Sequence, residues 1–125
     1  RSFLRRPGGR VVAISSKSSL GPAGGAAYAS SKAAMNRWIL TLATELGPEG
    51  ITANVVLPGF VPDTGLYGEA GIEPARHDRI VERIATGTAG RPEDIASAVR
   101  YLASREARWI NGIRLDVHGG DRAAL

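Results

Sequence analysis

Two stretches of the chain are continuously apolar and end at residues that interrupt secondary structure. They are GRVVAISS at 9–16 and ITANVVLPG at 51–59. Apolar runs of this length, bounded by glycine, serine or proline, are typical of strands covered on both faces, as in parallel sheets. A third strand, Ile113 to Val117, is predicted after the turn at Asn111-Gly112. Asn54, a polar residue inside the second strand, is interpreted as structural.

Between these strands, apolar residues recur at intervals of three and four, which is the period of a helix. A long helix is predicted from Tyr28 to about Leu46, where Gly47-Pro48 ends it. Its apolar positions are Ala34, Met35, Trp38, Ile39, Leu42 and Leu46. Two shorter helices are predicted at 74–85 and 91–104, and each has a proline near its start, where a missing N–H costs little.

The predicted order is strand, helix, strand, helix, helix, strand. This alternation indicates parallel strands joined by crossovers, with helices on the faces of the sheet, and so predicts part of a doubly wound α/β fold. In such folds, ligands bind at the carboxyl ends of the strands. The turn-rich segments 17–27 and 58–74 both follow strands and are therefore expected at this edge of the sheet.

Composition agrees with a single globular domain. The chain has 125 residues, of which 43% are hydrophobic and 22% are charged. No apolar run approaches the roughly 20 residues of a membrane span, and the first thirty residues lack the apolar core of a signal peptide. The chain contains no cysteine, so disulfides and thiolate metal sites are excluded. We predict a cytoplasmic protein with no membrane partner.

The formal net charge of +4 raises the question of a nucleic-acid partner. The arginines are interleaved with Glu and Asp, and no run of five like charges occurs, which favours a solvated surface and predicts no nucleic-acid binding. The two histidines, His77 and His118, have no convergent carboxylates in the sequence, so no metal site is predicted.

Tyr28 and Lys32 are four residues apart on the long helix, among small Ala and Ser side chains. Positions i and i+4 lie on one face of a helix, so the hydroxyl and the ammonium can reach one ligand. A nearby cation favours the phenolate form of a tyrosine. Ser16, at the carboxyl end of the first strand, is expected to reach the same edge. The alternative is a half-buried tyrosine beside a surface lysine, without chemistry.

The segments GRVVAISS, YASSK, GITANVVLPG, GRPEDIASAVRYLAS and INGIRLDVHGG follow one another in an order and spacing that resemble a known family. This is the short-chain dehydrogenase/reductase family, in its single-domain form, and the chain is most similar to the branch of 3-oxoacyl-carrier-protein reductases and sugar or polyol dehydrogenases. The resemblance implies a Rossmann-like fold and hydride transfer between NAD or NADP and an alcohol or ketone.

The resemblance also implies roles for individual residues. Tyr28 would be the catalytic acid/base, Lys32 would favour its phenolate and hold the nicotinamide ribose, and Ser16 would hydrogen-bond the substrate oxygen. Ser15 competes with Ser16 for that last role, although the family's spacing favours Ser16.

In the family, the segment after the second strand holds the nicotinamide. Pro58, Gly59 and Val61 match that pattern, whereas Thr64 comes one residue late, with Asp63 in the expected threonine position. The resemblance therefore implies cofactor contacts from Tyr28, Lys32, Pro58, Gly59, Val61 and Thr64.

The family's glycine-rich turn, which binds the cofactor pyrophosphate, has no counterpart here. GPAGGAA follows the strand that carries Ser16 and is interpreted as a substrate loop. We therefore expect residues 1–125 to be the carboxyl-terminal catalytic portion of an oxidoreductase domain, three strands with flanking helices, without the amino-terminal dinucleotide-binding half. The 28–46 helix resembles the family's dimer-forming helix, which implies a homo-oligomer, either a dimer or a tetramer, with Met35 and Trp38 in the interface.

Two other functions stay open. A nucleotide-sugar isomerase or dehydratase shares the Tyr-x-x-x-Lys pair, but usually has a longer carboxyl-terminal substrate region than the roughly sixty residues that follow Pro58-Gly59 here. A non-catalytic binding or regulatory protein could keep the fold. The presence of Ser16, Tyr28 and Lys32 together argues against this, and the missing glycine-rich turn argues for it.

Overall fold

The three predicted strands pair in parallel and form one sheet. They are β1 (Arg10–Ile14), β2 (Thr52–Pro58) and β3 (Arg114–Val117), with β2 in the centre. The structure is a computed structural model that describes residues 8–21, 25–62, 64–68 and 70–122. Residues 22–24 of the predicted substrate loop, and Asp63, lie outside the described residues. The parallel sheet confirms the predicted α/β class.

Within the described residues, three α-helices lie between these strands along the chain: α1 (Ala26–Leu46), α2 (Pro74–Val81) and α3 (Pro92–Ala103). Of these, α1 and α3 pack against the sheet. Pro74 and Pro92 are the first residues of their helices, as predicted. The Glu73 carboxylate accepts hydrogen bonds from the first free N–H groups of α2, at 3.0 Å. Asp94 accepts one from Arg91 N at 2.8 Å and so closes the start of α3.

The core lies on both faces of β2. Every residue from Thr52 to Leu57 is buried. On one face, Ala53, Val55 and Leu57 pack in one cluster with Ile39 and Ala43 of α1, and the remaining face is covered by α3, which contacts all three strands and buries Leu102. A strand covered on both faces explains why its sequence is a continuous apolar run.

The prediction for α2 was too long at its carboxyl end. The helix ends at Val81 rather than at 85, because the next residues pair with the segment that follows β3. Ile84 forms an antiparallel bridge with Asp121, and Thr86 N donates to Gly119 O at 3.1 Å. Backbone pairing over this distance in sequence removes Ile84 from the helix, although its apolar side chain fits the helical period.

Asn54 has the structural role that its position indicates. Its side-chain Nδ2 donates to Ile110 O at 2.9 Å, and its Oδ1 accepts from Ile113 N at 3.1 Å. Asn54 is fully buried, so these bonds satisfy polar atoms that would otherwise be costly to bury. They hold the turn before β3 against β2 and thereby set where the carboxyl ends of the two strands meet.

Candidate active site

Two consecutive serines follow β1 and have different surroundings. Ser15 is buried: its N donates to Val56 O at 2.8 Å, and its Oγ donates to Lys32 O at 3.1 Å. Ser16 begins a short 3₁₀ turn, and its Oγ accepts from Ser18 N at 3.2 Å. Among the described residues, the Ser16 hydroxyl has no acceptor for its own hydrogen. That hydrogen is therefore available to a ligand, whereas the Ser15 hydrogen is already used.

Tyr28 and Lys32 lie in the first turns of α1, on the side of the helix that faces the carboxyl end of β1. The Lys32 Nζ lies 5.7 Å from the centroid of the Tyr28 ring and donates to Ile14 O at 3.1 Å. The Tyr28 hydroxyl makes no hydrogen bond with a described residue, and 36% of the residue is exposed. The ammonium is thus fixed beside the ring, while the hydroxyl is free to act on a ligand.

A cavity of about 650 Å³ opens beside these groups. Ser16, Tyr28 and Lys32 line it on one side, and Ile95 and Val99 of α3 line it on another. Pro58, Val61, Thr64, Leu66 and Tyr67, from the segment after β2, complete much of the wall. Its volume lies in the range of cofactor and ligand sites. The structure therefore brings together all but one of the site residues predicted from the sequence.

Gly59 is the predicted residue that is not part of this wall. Its N donates to Val117 O at 2.9 Å, and a Cβ added to it would lie 2.5 Å from the Cβ of His118. Gly59 is thus needed for close packing between the ends of β2 and β3. Thr64 lines the cavity, but its Oγ1 donates to Val61 O at 3.2 Å, so its hydroxyl is used within the loop.

A second cavity, of about 340 Å³, shares Ser16, Tyr28, Leu66 and Tyr67 with the larger one. Its other lining residues are Lys17, Ser18, Phe60, Arg76, Ile80 and Arg83. Phe60 and Tyr67 meet edge to face, with ring centroids 5.8 Å apart. Ser16 and Tyr28 therefore line two cavities of different chemical character.

Tyr67, in the wall between the two spaces, keeps its proton more firmly than an isolated tyrosine. Burial raises the pKa of its hydroxyl, the Arg76 guanidinium acts in the opposite direction, and the proximity of Tyr28 raises it further. At neutral pH the Tyr67 side chain, which lines both cavities, is therefore neutral and can donate a hydrogen bond.

Comparison with known proteins identifies the family. The family model described as enoyl-(acyl carrier protein) reductase matches residues 1–121. The 3-oxoacyl-acyl-carrier-protein reductase of Salmonella typhimurium is 37% identical over 121 residues, which cover 96% of this chain and 48% of that protein. The chain belongs to the short-chain dehydrogenase/reductase family. It spans about half the length of the curated relatives it matches, and that residues 1–125 are the carboxyl-terminal portion of an enzyme domain stays a prediction.

Solved structures of short-chain dehydrogenases/reductases share the fold. A 3-oxoacyl-acyl-carrier-protein reductase from Brucella melitensis superposes with a TM-score of 0.84 and 29% identity, over 95% of this chain and 44% of that one. A 7α-hydroxysteroid dehydrogenase in complex with NADH and 7-oxo glycochenodeoxycholic acid gives a TM-score of 0.86 and 30% identity, over 95% of this chain and 46% of that one. These agreements place the three-strand sheet within the Rossmann-type fold of the family.

Within the described residues, no helix is both long and apolar enough to cross a membrane, and no group of three or more His, Asp or Glu side chains could hold a metal ion. The cytoplasmic location of this short-chain dehydrogenase/reductase stays a prediction.

Reasoning from the sequence missed the basic side chains of the smaller cavity. Lys17, Arg76 and Arg83 line it, and Lys17 forms an ion pair with the fully buried Asp121. A weak signal was present, because Arg76, Ile80 and Arg83 follow an i, i+4, i+7 pattern that puts them along one face of α2 and its extension. The pair between Lys17 and Asp121 joins residues 104 positions apart and has no local signal.

Proposed function

We propose that this protein is an NAD- or NADP-dependent oxidoreductase that interconverts an alcohol and a ketone, with Tyr28 as its acid/base. The observation that carries the proposal is that Ser16, Tyr28 and Lys32 line one cavity while the hydroxyls of Ser16 and Tyr28 remain free of acceptors among the described residues. Two unengaged hydroxyls at one edge suit the recognition of a single carbonyl oxygen.

The chain's own residues perform the proton chemistry. In reduction, the Tyr28 hydroxyl donates its proton to the carbonyl oxygen, and in oxidation the phenolate accepts it back. The Ser16 hydroxyl donates a hydrogen bond to the same oxygen and stabilises the negative charge that develops on it. Lys32 supplies a positive charge 5.7 Å from the centroid of the Tyr28 ring.

The residues of the larger cavity fit the nicotinamide end of the cofactor. The Lys32 ammonium has three N–H donors and uses one on Ile14 O, so two remain for ribose hydroxyls. Tyr28 would share that ribose contact, and Pro58, Val61 and Thr64 would contact the nicotinamide, with Gly59 keeping their loop close to β3. When bound, the nicotinamide supplies or accepts the hydride.

Replacement of Tyr28 by Phe tests the proposal, in a protein in which residues 1–125 are joined to the amino-terminal dinucleotide-binding half that the sequence predicts. We expect turnover of ketones with NADH or NADPH to fall by about 10²- to 10⁴-fold, because the proton donor is lost. The fold should be retained, since the Tyr28 hydroxyl makes no hydrogen bond with a described residue and the side chain reaches the surface. Turnover is measured from nicotinamide absorbance, and cofactor binding from energy transfer between tryptophan and nicotinamide.

Tyr101→Phe is the matched control, because Tyr101 is 50% exposed on α3 and lines neither cavity. It should turn over ketones like the original protein. Full turnover by Tyr28→Phe would refute Tyr28 as the acid/base. No turnover by the original protein would favour a non-catalytic role for the fold. A folded Tyr28→Phe variant that still binds cofactor but does not react supports the proposal.

A homo-oligomer that forms through the 28–46 helix is part of the proposal. Its support is Trp38, which is 60% exposed on the outer face of α1.

A further inference from the structure

The smaller cavity beside Ser16 and Tyr28 has a composition unlike that of the larger one. Its wall contains three basic side chains, Lys17, Arg76 and Arg83, and no carboxylate among the described residues. Its remaining surface is largely apolar and aromatic, from Phe60, Leu66, Tyr67 and Ile80. A ligand of this cavity would therefore combine an apolar body with a negatively charged group that pairs with the basic side chains.

Only two of the three cations are available to such a ligand. The Lys17 ammonium pairs with the buried Asp121 carboxylate, so its positive charge is already neutralised within the protein. The guanidinium groups of Arg76 and Arg83 form no hydrogen bond or ion pair with any described residue. Both residues are exposed and can meet a ligand without giving up a partner within the described part of the chain.

Both arginines line the cavity, and their charges act on neighbouring titratable groups. Arg76 acts to lower the pKa of Tyr67, against the dominant effect of burial. The pKa of Lys17 is lowered by burial and, secondly, by repulsion from Arg83. An anion placed between the two arginines would relieve this accumulation of positive charge.

From this arrangement we infer that the smaller cavity is a substrate subsite for an anionic group, a carboxylate or a phosphate, held by Arg76 and Arg83 while the substrate carbonyl lies at Ser16 and Tyr28. Guanidinium groups bind both anions through paired N–H donors. The inference rests on the proposed function, since that function locates the reacting carbonyl. It narrows the substrate class from alcohols and ketones in general to oxo acids or oxo phosphates and their alcohols.

The test uses matched ketones that differ only at the far end of the same carbon chain: a terminal carboxylate, its methyl ester, and a terminal phosphate monoester. Binding is measured by calorimetry, and hydride transfer is measured with NADH and NADPH in a protein that also contains the dinucleotide-binding half predicted from the sequence. We expect the carboxylate or the phosphate to bind about 10- to 100-fold more tightly than the ester, the range that hydrogen bonds to a charged group provide. The anion that binds more tightly, carboxylate or phosphate, is then assigned as the charged group of the substrate.

Variants of α2 and its extension assign the effect to residues. Arg76→Leu and Arg83→Leu should each lose most of the preference for the anion and leave binding of the ester within about twofold of its original value. Arg76→Lys should regain part of the preference, because it restores the charge without the paired donors. Arg79→Leu is the control: Arg79 is exposed on α2, carries the same charge and lines neither cavity.

Equal affinity for the anions and the ester overturns the inference, as does an anion preference that both leucine variants retain. If Arg79→Leu lost as much of the anion preference, the preference would result from the overall positive charge of α2. That outcome would also overturn the inference. Failure of the proposed function gives a different result: none of the three ketones undergoes hydride transfer. An anion preference that depends on Arg76 and Arg83, without any transfer, would keep the subsite and reject the oxidoreductase activity.

Discussion

At the scale of single residues, hydrogen bonds distinguish side chains that look equivalent in the sequence. Ser15 and Ser16 are adjacent and chemically identical, and both line the larger cavity. The Ser15 hydroxyl donates to Lys32 O, whereas the Ser16 hydroxyl has no acceptor among the described residues, and Ser16 also lines the smaller cavity. Gly59 has a packing role that its sequence position does not reveal, because a side chain at 59 would collide with His118. The cofactor contact that the resemblance implies for Gly59 stays a prediction.

Gly59→Ala should therefore destabilise the protein. Its added Cβ would lie 2.5 Å from the Cβ and 2.7 Å from the Cα of His118, closer than carbon atoms can approach, so the ends of β2 and β3 would have to move apart. We expect a loss of about 1–3 kcal/mol in the free energy of unfolding. The measurement is urea denaturation followed by circular dichroism.

Gly65→Ala is the matched control, because a Cβ at 65 would have no heavy atom within 4 Å and the residue does not require positive φ. The urea concentration at which Gly65→Ala is half unfolded should stay close to that of the original protein. A denaturation midpoint for Gly59→Ala equal to that of the control would contradict close packing between Gly59 and His118.

At the scale of elements, the site is assembled from segments that are distant in the chain. The turn after β1 carries Ser16 and Lys17, and the segment after β3 carries Asp121. The ion pair between Lys17 and Asp121 joins these two segments, and the bridge between Ile84 and Asp121 adds the extension of α2. The carboxyl ends of β1 and β3 are thus linked, although β2 lies between them.

A double-mutant cycle at Lys17 and Asp121 tests this link. Lys17→Met and Asp121→Asn should each reduce the free energy of unfolding by about 3 kcal/mol, because each breaks an ion pair whose carboxylate is fully buried. The double variant should lose clearly less than the sum of the two, since either single substitution already breaks the pair. Thermal and urea unfolding measure the loss of stability in the two single variants and in the double variant.

Arg105→Met is a suitable control, because Arg105 is an exposed basic residue and its side chain forms no hydrogen bond or ion pair with a described residue. Its removal should change stability by less than about 0.5 kcal/mol. Additive losses at Lys17 and Asp121 would show that the two side chains act independently.

At the scale of the whole molecule, apolar side chains are exposed on surfaces where a second protein chain could pack. Trp38, on α1, is 60% exposed, and Trp109, after α3, is 88% exposed. A large exposed aromatic residue on the outer face of a helix is a frequent anchor of a protein interface. The proposed oligomer uses the α1 surface, so the two tryptophans should differ in their effects.

Trp38→Ser should weaken self-association by roughly 30-fold, the effect of removing a central interface residue worth about 2 kcal/mol. Sedimentation velocity over a range of concentrations measures the dissociation constant. Trp109→Ser is the control with an equal change in side chain, and it should associate like the original protein. Unchanged association of Trp38→Ser would exclude α1 as the interface, and loss of association in Trp109→Ser alone would move the interface to the surface after α3.

Local pattern determined the strands, the helices and the α/β class. Apolar runs and helical periods are set by which faces of a segment are buried, and this information is contained in a few neighbouring residues. The face shared by Tyr28 and Lys32 was predictable for the same reason, since four residues make about one helical turn. The start and end of α3 agreed within one residue of the prediction.

Tertiary structure alone decided how these segments combine into a site. The early end of α2 at Val81, the ion pair between Lys17 and Asp121 and the two arginines of the smaller cavity all depend on contacts between segments far apart in sequence. Such contacts follow from how the elements pack, and no local period encodes them. The sequence by itself thus determined the elements and the pair of groups on α1, whereas packing decided which serine is available, which charges are neutralised and which remain for a ligand.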